Sequence, residues 1–162
     1  MVIEFFVPGN PKGLKRHRTY DLQDGRRVQV DPSKADKQTF LALAMQHRPP
    51  EPLTGPLCLR LICVFPRPQN HYHAGMGPKA GQLRAKSPFW RAALPDWDNV
   101  GKFVCDALNG VFWRDDRLIV SSRTDKLYGE KPGIYVRIWK PTGQEEMDLI
   151  AEMARVAIVM EG

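Results

Sequence analysis

The segment PDWDNVGKFVCDALNG, residues 95–110, sets Asp96 and Asp98 one residue apart at the start of an amphipathic run, and WRDD at 113–116 adds Asp115 and Asp116. Carboxylates gathered this closely repel one another, and the repulsion raises a pKa unless a cation offsets it. A divalent ion of the Mg²⁺ kind does so. It takes hard oxygen donors, needs only a few carboxylates, and completes its octahedron with water and substrate phosphate. Asp96 and Asp98 supply two donors, and Asp115 or Asp116 a third if the strand after VFWRDD lies beside the helix start. Lys102 follows Asp98 by four residues, one helical turn, which keeps its ammonium near the same place. There it can meet a phosphate oxygen or the charge that develops as a phosphodiester is cleaved. Spacing alone also admits a structural reading, with Asp98 as a helix N-cap and Lys102 in a surface pair with Asp98 or Asp106 worth about a few tenths of a kcal/mol.

A helix has to position these groups. Val100, Phe103, Val104, Ala107 and Leu108 recur at helical spacing and predict an apolar face over Asp98–Leu108, closed by Asn109-Gly110. Asp98, Lys102 and Asp106 fall on the other side. Ahead of this helix, VIEFFV reads as a first strand ended by PGNPKG, and TYDLQDGRRVQVD as a short hairpin turning on the pair Asp24-Gly25. DPSKADKQTFLALAMQH reads as a helix capped by Asp31 or Ser33. PLCLRLICVF, from Pro56 to Phe65, is apolar except for Arg60, the pattern of a central strand buried on most of both faces. Pro66 to Pro95 has no periodicity and predicts a long basic loop, and loops of that length are usually functional or disordered. RLIVSSR and GIYVRIW read as two further strands, and an acidic amphipathic helix from about Glu145 to Met160 closes the chain. The expected fold class is α+β: one domain over residues 1–162, with a small mixed β-sheet packed against helices.

Charge is distributed unevenly. Met1 to Pro95 holds 15 Lys/Arg against 6 Asp/Glu, whereas Asp96 to Gly162 holds 9 against 12. No acidic residue occurs between Glu51 and Asp96. A basic surface leading to a carboxylate cluster suits a polyanion held beside bound cations, although solvated loop residues give the same count. No apolar run reaches the length of a membrane span, and MVIEFFVPG reads as a strand and not a signal peptide, which leaves the cytoplasm as the expected compartment. Cys58 and Cys63 are five apart on one predicted strand and Cys105 is in the helix, so neither a disulfide framework nor a metal knuckle follows.

The run PDWDNVGKFVCDALNGVFWRDD followed by LIV resembles the central signature of the RusA-type Holliday junction resolvases: a D-x-D-N pair, a lysine four residues on, DAL along the helix and an acidic pair before the next strand. FVPGNPKGLKR near the start and DKLYGEKPGIYVRI near the end are also similar to that family. The resemblance implies a homodimeric, Mg²⁺-dependent endonuclease, with Mn²⁺ able to substitute, that introduces paired nicks into four-way DNA. It implies metal-binding and catalytic roles for Asp96, Asp98 and Asp116, a catalytic role for Lys102, and a lesser ligand role for Asp115. Asn99 matches the family asparagine, and Asp106 the aspartate of DAL, where a structural role is expected. On this reading Lys12, Lys15, Arg16, Arg18, Arg84, Lys86 and Arg91 neutralise DNA phosphates, and Phe89 and Trp90 either wedge at the branch point or pack. No membrane and no small-molecule cofactor is expected. A same-fold nuclease for flaps or forks, or a silent DNA-binding scaffold, remains the alternative.

Two segments depart from the family pattern. His71 to Arg91 is long, with His71 and His73 at strand-like spacing that a second metal site would also use. The tail beyond Pro141 adds a helix whose Met147, Ile150, Met153, Ala154 and Ala157 form an apolar stripe, either a cover for the core or an additional dimer surface.

Overall fold

The computed structural model describes residues 1–160, with side chains described through Glu152. In chain order the elements are β1 (Val2–Pro8), β2 (Arg18–Asp21), β3 (Arg27–Val30), α1 (Lys34–Ala44), β4 (Leu57–Pro66), α2 (Trp97–Leu108), β5 (Ile119–Gly129), β6 (Gly133–Trp139) and α3 (Gly143–Met160). Four strands form a mixed sheet in the order β1-β6-β4-β5, and β2 and β3 form a separate hairpin. The fold is α+β, as expected.

The strongest apolar run of the sequence, β4, takes an interior position, antiparallel to β6 and parallel to β5. A parallel pair cannot be joined by a tight turn, and the chain makes the crossover through the long loop and α2. Register then sorts the faces. Leu59, Leu61 and Cys63 align with Ile138, Val136 and Ile134 of β6, which in turn align with Ile3, Phe5 and Val7 of β1. This face, together with α1 and α2, makes the core. On the opposite face of β4 only Cys58 is buried, while Arg60, Ile62 and Val64 stay half-exposed and Arg60 pairs with Asp125 at 2.7 Å. β4 is therefore buried on one face and only partly covered on the other, because both packed helices lie on the same side.

Two local predictions are corrected. The hairpin turns through three residues and not two: Leu22 N–H donates to Arg26 O and Gly25 N–H to Leu22 O, with Gly25 at φ +80°. This is a turn closed by a left-handed glycine, which suits three-residue hairpins. The loop from Pro66 to Pro95 is not free of structure. It carries a 3-10 turn at Gln69–His71, a bridge between Tyr72 and Leu83, and a stitch to the β5 edge where Tyr128 N–H donates to Phe89 O and Arg91 N–H to Lys126 O.

The final helix starts at Gly143 and not Glu145, behind a capping box in which Thr142 N–H donates to Glu145 at 2.7 Å and Glu145 N–H to Thr142 Oγ1 at 3.3 Å. Trp139 Nε1 adds a bond to Glu145 at 2.9 Å. Met147 and Ile150 of the apolar stripe are exposed, so this part does not cover the core; Met153, Ala154 and Ala157 lie outside the described side chains. Among the described residues no helix is long and apolar enough to cross a membrane.

Close approach of β1 and β6 depends on Gly133, where a Cβ would meet the Phe6 ring and lie 2.6 Å from Val7 O. Backbone cannot yield there as a flexible side chain can. Gly133→Ala is expected to lower unfolding stability by about 1–3 kcal/mol, read as a lower urea midpoint with unchanged slope.

Candidate active site

The start of α2 is built from both sides. Asp96 is its N-cap residue, in extended conformation, and its carbonyl accepts from Val100 N–H; its carboxylate makes no capping bond. Asp98 lies in the first turn and is not the cap, contrary to the structural reading of the sequence. The Asp96 carboxylate is not occupied by holding the helix end, whereas the Asp98 carboxylate also receives the backbone N–H groups of Asn99 and of Asp98 itself. Upstream, Lys126 Nζ donates to the carbonyls of Ala93 and Pro95, so a β5 side chain fixes the approach to Asp96. Across from it, Leu14 N–H donates to Asn99 O at 3.0 Å, and Gly13 is so close to Pro95 that a Cβ would lie 2.6 Å from the proline Cβ. The backbone of Asn99 thus anchors the basic N-terminal loop to the helix.

Asp116 arrives from the other end of α2. Gly110, at φ +76°, turns the chain, and Phe112 and Trp113 are fully buried behind it. Backbone bonds between Leu53 and residues 112 and 114 hold this segment in place. Trp113 Nε1 donates to Asp116 Oδ1 at 2.7 Å, which orients the carboxylate from a core anchor. Asp115 is placed apart from the other three carboxylates. Its side chain accepts from Arg117 N–H at 3.0 Å, caps the short 3-10 turn of Asp116–Leu118, and lines neither groove of the site.

Asp98 and Lys102 form a wall shared by two grooves. One groove, of about 350 Å³, is lined by Asp98, Lys102 and Asp116 with Ser122, Thr124 and the apolar floor of Leu59 and Leu61. The other, of about 460 Å³, is lined by Asp96, Asp98, Asn99 and Lys102 with Lys15 and Arg16. The donors are oxygens of the kind a hard divalent ion prefers. No three of them converge among the described residues, so the arrangement fits an ion completed by water and phosphate and not an all-protein cage.

Lys102 Nζ donates to Asp98 Oδ2 at 3.0 Å, and this bond holds the Asp98 carboxyl below the ordinary aspartate value of 3.8. Burial pushes the thiol of Cys105, on the floor of the first groove, up to about 12. That thiol stays protonated and is no nucleophile.

The basic residues divide. Lys15 and Arg16 reach the groove, Lys12 pairs with Asp36 at 2.7 Å beside it, and Arg18 is exposed on β2. Arg84 and Lys86 are exposed on the long loop and line neither groove. Arg91 is removed from the predicted DNA-binding set. Its guanidinium lies 4.3 Å over the Phe65 ring and donates to Leu94 O and, at 3.4 Å, to Tyr128 Oη, a role inside the fold. Asp106 joins α2 to α1 through Lys37 at 3.2 Å and also lines the first groove with Asp98 and Asp116. His71 packs edge-on against Tyr128, with ring centres 4.8 Å apart. Phe89 and Trp90 remain exposed and pack against each other.

Sequence reasoning missed Ser122 and Thr124, whose exposure depends on β5 pairing, and Trp97, which is 62% exposed between the two aspartates. Only the break in the apolar pattern at the head of α2 hinted at Trp97.

Acidic oxygens beside ammonium and guanidinium groups on a groove floor are the equipment of enzymes that cut phosphodiesters. Residues 8–139 match the family model for endodeoxyribonuclease RusA, and the protein belongs to that family. It is also similar to the uncharacterized protein YqaN of Bacillus subtilis (strain 168), with 32% identity over 138 residues, covering 84% of this chain and 94% of the relative.

The sign of the Asp98 shift sets a test. Because the folded carboxyl titrates below its unfolded value, the Asp98–Lys102 pair stabilises the fold above that unfolded value and is lost as pH falls through the folded one. In Lys102→Met the Asp98 carboxyl is expected to titrate closer to 3.8, read by carboxyl-carbon NMR; an unmoved midpoint would show that Lys102 is not the cause.

Proposed function

We propose that this family member is an endonuclease that resolves four-way DNA junctions by paired, symmetric nicks with Mg²⁺ as cofactor, in DNA recombination and repair in the cytoplasm. The observation that carries the reading is the shared wall of Asp98 and Lys102, with Asp96 on one groove and Asp116 on the other. Asp98 with Asp96 in one groove, and Asp98 with Asp116 in the other, would supply the carboxylate donors of the cation, two at a time, with Mn²⁺ an acceptable substitute. When bound, such an ion activates water and neutralises charge on the phosphate and the leaving oxygen.

The chain's own groups do the rest. Trp113 keeps Asp116 aimed at the groove. Lys102 meets a non-bridging phosphate oxygen, and its hydrogen bond holds the Asp98 carboxyl below the ordinary aspartate value. Lys15 and Arg16 sit beside Asp96 and hold the backbone of the approaching strand, with Lys12, Arg18, Arg84 and Lys86 as outlying phosphate contacts that read no bases. A four-way junction offers two equivalent strands, so a two-fold homodimer supplies the two equivalent sites that symmetric cleavage requires.

The test is cleavage of a synthetic four-way junction, a flap and a linear duplex, each with Mg²⁺ or EDTA. Paired nicks in the junction alone, dependent on metal, are expected. Asp98→Asn and Asp116→Asn should each lower the nicking rate by at least about 100-fold while junction binding persists. Equal cleavage of the flap would shift the reading to a general branched-DNA nuclease, and binding without cleavage in Mg²⁺, or in Mn²⁺ supplied in its place, would shift it to a scaffold.

A further inference from the structure

Apart from Arg18, the β2–β3 hairpin is not used by the site as described, and it is unusual in being exposed at every residue of both strands. Its register places Arg18, Tyr20, Val28 and Val30 on one face and Thr19, Asp21, Arg27 and Gln29 on the other. Tyr20, Val28 and Val30 are 41–49% exposed, an apolar strip that nothing in the chain covers among the described residues. The feet of the hairpin, in contrast, are fixed. Lys15 N–H donates to Ser33 Oγ at 2.9 Å, Ser33 is fully buried, and Leu14 N–H is bonded to Asn99 O. The ribbon therefore projects from a base clamped to the first turn of α2, immediately after Lys15 and Arg16, which line the groove with Asp96 and Asp98.

We infer that the β2–β3 hairpin is a duplex-tracking arm: a two-stranded ribbon lying in the major groove of the DNA arm beside the scissile phosphate, with Tyr20 and Val28 toward the base edges, Arg18 and Arg26 on phosphates from that face, and Arg27 reaching a third phosphate around the ribbon's edge from the other face. The inference rests on the nuclease reading above. Three observations select duplex DNA as the occupant. The ribbon is continuous with the candidate site. A two-stranded ribbon has the width that the major groove accepts. From Lys15 to Val30 there are five Lys/Arg against two Asp, which attracts a polyanion and opposes a second copy of the same arm. The bonds of Arg26 to Asp24 and Arg27 to Asp21 are exposed pairs that phosphate contact can replace at little cost.

The full chain carrying Asp98→Asn would be titrated with a labelled four-way junction by fluorescence anisotropy between 50 and 200 mM salt, alone and with Arg18→Ala, Arg26→Ala and Arg27→Ala combined. Each lost phosphate contact lowers the salt slope by about 0.9, so over this range the parent is expected to lose roughly 40-fold more affinity than the triple variant. Tyr20→Ala with Val28→Ala should weaken binding at every salt concentration without changing the slope. All five side chains are exposed, so far-ultraviolet circular dichroism should be unchanged and folding is controlled. A triple variant with the parent's slope would overturn the arm while leaving the nuclease reading intact; a parent that binds no DNA would remove both. A change of oligomeric state in the Tyr20/Val28 variant, with the slope untouched, would make the hairpin a subunit contact and likewise overturn the inference.

Discussion

Helix α2 rests on the sheet through Val100, Phe103, Val104, Ala107 and Leu108, all buried, and this contact determines where the site can be. Burying each of the larger side chains is worth roughly 1.5–3 kcal/mol, so the helix has one favourable rotation about its axis. With that face down, Asp98 and Lys102 must lie together on the outer edge, one turn apart. The same packing sends the chain out of α2 toward Leu53, where Phe112 and Trp113 are buried and Asp116 is delivered back to the groove that Asp98 lines.

Electrostatics then decides what the arrangement can do. Three carboxylates in a small region are unfavourable without cations. The protein answers locally with Lys102 on Asp98 and with Lys15 and Arg16 in the groove beside Asp96, and leaves the Asp96 carboxylate free of capping duty. Asp116 is the one member held by a core side chain. The hydrogen bond from buried Trp113 links the orientation of this carboxylate to hydrophobic packing.

The long basic loop contributes more order than charge. Arg91 and Lys126 exchange contacts across the β5 edge: the guanidinium packs on Phe65 and Tyr128, and the ammonium binds the carbonyls of Ala93 and Pro95. Arg91, which looks available for DNA in the sequence, and Lys126 instead hold the approach to Asp96. The remaining cations near the grooves come from the N-terminal loop, brought in by the bond from Leu14 to Asn99 and by the close contact of Gly13 with Pro95.

What could be read in the sequence was local or periodic. The apolar face of α2, the interior position of β4, the α+β class and the i, i+4 relation of Asp98 to Lys102 all follow from residue spacing, because helical and strand periods project neighbours in sequence onto fixed faces; the family was legible separately, by resemblance of the motif at 95–116. The half-covered face of β4, the capping use of Asp115, the bond of Trp113 to Asp116, the withdrawal of Arg91 and the division of the site into two grooves were decided by tertiary structure. Each depends on which distant segments meet: β5 with the loop at 89–91, Leu53 with Trp113, and Leu14 with Asn99. Spacing along one element carries no information about the partner that another element brings to it.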